Sequence, residues 1–189
     1  ARVAKAGGGD LAEIRQTKDR SAAVRLMTTG APIVVARLHA KKKIAGVIGM
    51  GGTTGTIVVS SAMRALPVGF PKVCVSTLAP GDTSGFVGTK DLVVIPSIVD
   101  LSGLNRVSQM IFTQAAGAIC GMARAEPPPR KHAKPIIAAS VFENTADCVN
   151  ACVPPLSAEK YEVLVFHAAG MSARTMESLE CEGVVSAVL

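Results

Sequence analysis

Three short stretches concentrate the small polar residues from which ligand sites are built. The first runs Gly49-Met50-Gly51-Gly52-Thr53-Thr54-Gly55-Thr56, the second covers 76–85 and the third 96–106. Glycines let backbone N–H groups approach an anion closely. A helix after the loop turns its positive end toward that anion, and threonine hydroxyls add donors. The first loop nevertheless matches neither standard phosphate fingerprint. A dinucleotide pattern starting at Gly49 requires glycine where Thr54 stands, and a Walker loop requires a Gly-Lys-Ser/Thr that does not follow these glycines. Two readings therefore stand side by side: a phosphate cradle, or a turn whose glycines only let a helix pack tightly on a strand.

The second stretch carries Asp82 between Gly81 and Gly85. This carboxylate could hold Mg²⁺ through water, take a ribose hydroxyl, or close an Asx turn. In the third, Asp100 and Arg106 bracket a helix start. Arg106 could clamp a phosphate, pair with Asp100, or face solvent. Further on, "VFHAAGMSARTME" reads strand, turn, helix, with His167 at the strand end and Arg174 in the first helical turn. His167 could act as a general base, bind an anion, or serve as a hydrogen-bonded structural residue. In "FENTAD", Asn144 is the expected N-cap with Asp147 three residues on. No Ser-His-Asp order, carboxylate pair or nucleophile elbow stands out. The residues favour a binding cleft over a catalytic centre, with His167 and Asp82 the candidates for acid/base work should there be one.

Composition says what can position these loops. Nearly half of the 189 residues are apolar, mostly aliphatic, with five Phe, one Tyr and no Trp. Short Val/Ile runs alternate with Ala-rich stretches, as in a parallel sheet covered by helices. Strands are expected at about 46–49, 72–77, 92–96, 135–140, 162–167 and 184–189. Helices are expected at about 55–66, 105–123, 144–151 and 172–181. Between the second and third strands only a long loop, 78–90, is expected. Residues 10–43 read as helical, with Gly30-Ala31-Pro32 expected to interrupt or offset the helix. All three polar loops then follow strand carboxyl ends, which share one edge of a parallel sheet, the edge where ligands bind.

The proline-rich, charged stretch "ARAEPPPRKHAK" has the signature of a linker. The expected organisation is a Rossmann-like subdomain at 1–123, a linker at 124–134 and the start of a second α/β subdomain at 135–189. The chain begins at Ala1 and ends in the apolar "VVSAVL", so a piece of a longer protein is expected.

The net charge of +6 suits an anionic partner without naming one. No aromatic residues interleave with the basic ones, so nucleic acid is not expected. No signal peptide or membrane-spanning run is visible. An odd number of cysteines, five, suggests reduced thiols and a cytoplasmic protein. Cys148 and Cys152 share a helical face, but two thiols alone do not make a zinc site.

"GVIGMGGTTGT", "MRALPVGFPKVCVSTLAPGD", "VGTKDLVVIPSIVDLSGLNRVS" and "YEVLVFHAAGMSARTME" together resemble, in order, successive blocks of one family. That family shares the ATP-binding amino-terminal region of the tomato mosaic virus resistance protein. The resemblance implies two Rossmann-like subdomains, ATP with Mg²⁺ as ligand, a homodimer, and a regulatory role through a protein partner, as in inhibition of viral RNA replication. It implies nucleotide contacts from Gly51, Gly52, Thr53, Thr54 and Thr56, from Ser76, Thr77, Gly81 and Asp82, and from Ser97, Asp100 and Asn105. In the last block the family pattern has a threonine where Ala169 stands and paired glycines where Ser172-Ala173 stand, while His167, Gly170 and Arg174 persist. Two other functions remain open: an enzyme acting on a phosphorylated or carboxylated metabolite, and an interaction scaffold with a vestigial cleft.

Overall fold

The computed structural model describes residues 1–126 and 134–189. The core of the expected linker falls on 127–133, outside the described residues. The chain divides into two compact units, Ala1–Glu126 and Pro127–Leu189. Both are α/β, each built on a three-stranded, wholly parallel sheet.

The first unit opens with three helices: α1 (Arg2–Ala6), α2 (Leu11–Thr17) and α3 (Arg20–Ala40). The helical stretch expected from residue 10 is broken early, because Asp10 and Asp19 each cap a new start. Their side chains accept from the N–H groups of Ala12 and Ala22. The expected interruption at Gly30-Ala31-Pro32 does not occur, and α3 runs through Pro32 unbroken. A mid-helix proline removes the N–H that would serve the carbonyl four residues back. That carbonyl belongs to Thr28, and Ser61 Oγ stands 3.3 Å from it while donating to Val58 O at 2.8 Å. The neighbouring helix thus partly replaces the missing donor. Gly30 is there for close approach: a Cβ on it would lie 2.0 Å from the Val3 carbonyl oxygen of α1.

The sheet follows, with β1 (Val47–Gly51), α4 (Thr53–Arg64), β2 (Lys72–Ser76), α5 (Ser84–Val87), β3 (Val93–Pro96) and α6 (Arg106–Arg124). Strand order is β1-β2-β3. The loop expected to be bare between β2 and β3 carries α5, a single turn. β2 is central and fully buried. On one face Cys74 packs with Met63 and Leu92, and on the other Val73 and Val75 pack with Ala115 of α6. Each such aliphatic side chain taken from water contributes about 1.5–3 kcal/mol. Burial pushes the Cys74 thiol up to about 11, so it is an unreactive core residue.

Lys72 opens β2 fully buried. Its Nζ donates to the carbonyls of Pro67 (2.7 Å) and Phe70 (2.8 Å) and pairs with Asp91 at 2.7 Å. All three ammonium protons are therefore satisfied, as a buried charge requires. Asp91 also accepts from Gly69 N–H, tying the β2 entry to the segment just before β3.

The second unit contains β4 (Ile136–Val141), α7 (Ala146–Ala158), β5 (Glu162–His167), α8 (Gly170–Cys181) and β6 (Ala187–Val188), in the order β5-β4-β6. Asn144 is not the N-cap it was expected to be. It lies within a 3-10 turn, Glu143–Thr145, and Thr145 takes the cap position. Thr145 Oγ1 accepts from Phe142 N–H at 3.0 Å, which fixes the turn before the helix begins. The helix passes through Pro154 and Pro155 and ends well beyond the expected residue 151. No helix among the described residues is long and apolar enough to cross a membrane.

Candidate functional site

The register of the first sheet puts Gly51 beside Ser76 and Ser76 beside Pro96. Three strand ends therefore finish level, and the three polar loops leave from one edge. Adjacent strands are about 4.8 Å apart, so the first and third loops start about 10 Å apart.

The glycines of the first loop have separate jobs. A Cβ on Gly49 would meet Val59 at 2.6 Å, and one on Gly51 would lie 2.5 Å from the Gly55 Cα. Both are required by the close seating of α4 on β1. Gly52 has no such crowding, its added Cβ meeting only Thr77 Oγ1 at 3.6 Å. It is the N-cap of α4, and no side chain caps that helix. The N–H groups of the first turn thus have no partner among the described side chains.

Thr56 and Ser76 turn inward instead. Leu78 N–H donates to Ser76 Oγ (3.0 Å), Ser76 and Thr56 hydroxyls meet at 2.7 Å, and Thr56 Oγ1 donates to Gly51 O (3.1 Å). With one proton each, the chain is satisfied when Ser76 donates to Thr56. Both side chains are buried. Ser97 is likewise buried, its Oγ donating to Val99 O at 2.7 Å and its N–H to Ser76 O at 3.0 Å. The Thr56 and Ser76 hydroxyls tie the first loop to the second, the Ser97 N–H ties the third to the second, and all three hydroxyls are engaged within the protein.

Other expected residues reach the surface. Thr53 is exposed, and Thr54 accepts from the guanidinium of Arg20 at 3.2 Å. Thr77 N–H donates to Gly51 O, extending the β1–β2 ladder by one bond, and Gly81 N–H donates to Leu78 O within a turn. Asp82 closes an Asx turn, accepting from Ser84 N–H at 2.8 Å. The Ser84 hydroxyl, and then its N–H, hold the exposed Asp82 carboxyl below its ordinary range, so it stays ionised. Asp100 accepts from Leu101 N–H. Asn105 is the N-cap of α6. Its Oδ1 accepts from Val107 and Ser108, and Ser108 Oγ accepts from Asn105 N–H, a complete capping box. Only the Asn105 amide group is left to face a ligand. Arg106 is exposed.

His167 belongs to the second unit. Its ring lies edge-on to Phe142 with centroids 5.7 Å apart, and its backbone N–H donates to Ser172 Oγ at 2.9 Å. Ser172, one of the departures from the family pattern, thus closes the β5–α8 turn. Arg174 is exposed.

Arg20 is the residue that sequence reading misses. It lies 34 positions from Thr54 and no motif links them. α3 and α4 run parallel, as the contacts Arg20–Thr54 and Thr28–Ser61 both show. The first residue of α3 therefore arrives at the first turn of α4. Its guanidinium donates to Thr54 beside the positive, uncapped start of α4, a pairing of donors that favours an anion.

Among the described residues no three His, Cys, Asp or Glu side chains gather as a metal cluster. Cys148 and Cys152 are free thiols on α7. The donors present fit Mg²⁺ only as phosphate-bound magnesium usually sits, with one carboxylate, here Asp82, and water completing its shell. A basic concavity of about 520 Å³ lies elsewhere, between α1 and α3, lined by Arg2, Lys5, Arg37 and Lys41. Its cations stand on helix surfaces, where solvated Lys and Arg are ordinary.

Parallel strands finishing level under polar loops define a protein of the open α/β class, with its candidate site at the strand carboxyl ends. Two family profiles match the chain: "Uncharacterised protein family (UPF0261) N-terminal domain" over residues 1–128, and the C-terminal domain of the same family over 134–189. The chain belongs to the UPF0261 family. It is 45% identical over 187 residues to a UPF0261 protein of Clostridium tetani, covering 99% of this chain and 46% of that one. It is 39% identical over 175 residues to the ToMV resistance protein Tm-1(GCR237) of Solanum lycopersicum, covering 90% of this chain and 23% of that one. The tomato ToMV susceptible protein tm-1(GCR26) matches to the same extent. The chain thus spans about half the length of the bacterial relatives and less of the plant ones.

Proposed function

We propose that the first unit is a binding module for a phosphate-bearing ligand, with ATP and Mg²⁺ the pairing the family resemblance favours. The observation that carries this reading is the meeting of Arg20 with the uncapped N-terminus of α4. Backbone N–H groups of the first turn, the Thr53 hydroxyl and the Arg20 guanidinium would bind phosphate oxygens by charge-assisted hydrogen bonds. Asp82, kept ionised on the neighbouring loop, is the carboxylate on hand for magnesium. Phosphate-bound magnesium would neutralise charge on the ligand.

The role of such a module is regulatory, exercised through a protein partner. Relatives named for resistance and susceptibility to ToMV support this. Titration calorimetry of ATP with magnesium into the full-length protein is the test. Saturable binding, weakened about tenfold by Arg20→Ala, is expected from the loss of one charged hydrogen-bonding partner. No heat at millimolar ATP sinks the reading.

A further inference from the structure

The hollow between α1 and α3 has a lining of one chemical kind. Arg2 and Lys5 come from α1, Arg37 and Lys41 from α3, and the rest of the lining is Ala6, Val34 and Leu38. Arg2 and Lys5 are three positions apart on their helix and Arg37 and Lys41 four apart, so each pair shares a face. Close helix contact brings the two pairs together. A Cβ on Gly7 would strike the Leu26 carbonyl oxygen, and one on Gly30 the Val3 carbonyl oxygen. Val3 thus lies at Gly30 and Gly7 back toward Leu26, so α1 runs antiparallel to α3 and its start lies beside the end of α3.

Taken singly, solvated cations on a helix are ordinary. Around this hollow four of them gather, and among the described residues none makes an ion pair or a side-chain hydrogen bond. No carboxylate lines it. Asp10 lines the adjoining hollow with Arg2 and Lys5, but there its carboxylate accepts from Ala12 N–H as the cap of α2. A concavity walled by one sign of charge raises the local concentration of counter-ions.

The lining also says what kind of anion fits. Its polar side chains are all donors, since guanidinium and ammonium groups accept nothing. They read acceptor oxygens, and an arginine fork matches those of a carboxylate or phosphate in pairs. A pair of cations on each wall suits two anionic groups. Ala6, Val34 and the partly exposed Leu38 offer apolar surface to the carbon that joins them. The volume, about 520 Å³, falls among those of small-molecule sites.

We propose that this hollow is a second binding site, for a small dianion: two carboxylate or phosphate groups on a short aliphatic body. It is independent of the phosphate site proposed above. A dianion bound there ties α1 to α3 and stabilises the helical layer that opens the first unit.

The test is calorimetry on the full-length protein with adipate and with the bisphosphonate of the same carbon chain, which tell carboxylate from phosphate. Hexanoate and sulfate are the controls. Saturable binding of one or both dianions is expected, with both controls at least about tenfold weaker. Arg37→Gln/Lys41→Gln on one wall and Arg2→Gln/Lys5→Gln on the other should each weaken the dianion by about tenfold. Leu38→Gln should weaken it by about threefold. These side chains are exposed and glutamine is a good helix former, so melting without ligand is unchanged. Saturating dianion raises the melting temperature of the wild type and not of the double variants. Sulfate that binds as tightly as the dianions overturns the inference, because a diffuse positive surface takes any anion. So does a loss confined to one wall, undiminished binding in both double variants, or a variant that melts lower without ligand. Wild-type protein that binds neither dianion overturns it outright.

Discussion

The β1–α4 and β5–α8 connections share one plan: a strand, a glycine-bearing turn, and a helix with no side-chain cap. They use glycine for different reasons. Gly51 has ordinary φ and is needed because a helix backbone lies where its Cβ would be. Gly170 has nothing within 4 Å of an added Cβ and is needed because its φ is 66°. Behind the first turn, buried Thr56 and Ser76 join two strand ends and a helix. Behind the second, half-buried Ser172 closes the turn on the backbone N–H of His167 and ties no other strand. The first connection is built into the core and carries a cation at its mouth. The second lies on the surface. A strand–turn–helix pattern with glycine thus does not by itself say whether a loop is preorganised.

This contrast can be broken by mutation. Gly51→Ala should cost the most, about 3 kcal/mol in denaturant unfolding, because its Cβ meets backbone that cannot move aside. A cost no larger than that of Gly170→Ala would show that close packing is not what separates the two turns. Thr56→Val keeps the shape but removes the link between Ser76 and Gly51, with an expected loss of about 1–2 kcal/mol. A neutral result would mean that the buried hydroxyls are not the tie between the loops. Gly170→Ala should cost about 1 kcal/mol, the penalty of a left-handed backbone alone.

The smallest effect concerns pH. Asp82 has its carboxyl lowered by Ser84, so folding is favoured above the carboxyl's unfolded-state pKa. That contribution fades as pH falls through the lowered folded value. In acid unfolding followed by circular dichroism, Asp82→Asn should flatten that part of the limb. An unchanged limb would remove the Asx turn from the loop's stability.

Much of the fold was legible because strands announce themselves by apolar runs. β2 and β5 fall where the pattern placed them, and the strand-end position of the polar loops follows from β-α alternation. Helix limits were harder. Pro32 read as a break because its lost hydrogen bond is local, while the partial replacement from Ser61 comes from another helix. Asn144 read as a cap because the 3-10 turn that displaces it depends on Thr145. Within the candidate site, residue type named the loops but not their orientation. Thr53, Thr54 and Thr56 look equivalent in sequence, yet only Thr56 falls on the face of α4 that packs against Ser76.

The sequence alone determined the class of fold, the parallel strands, and the edge on which glycine, threonine and aspartate collect. Those follow from periodicity and local chain stiffness, which act over a few residues. Tertiary structure decided which hydroxyls are buried ties and which side chains stay exposed. It also brought Arg20 to the start of α4 and set the cations of α1 and α3 around one hollow. These depend on segments tens of residues apart becoming neighbours, and packing, not local preference, sets that distance.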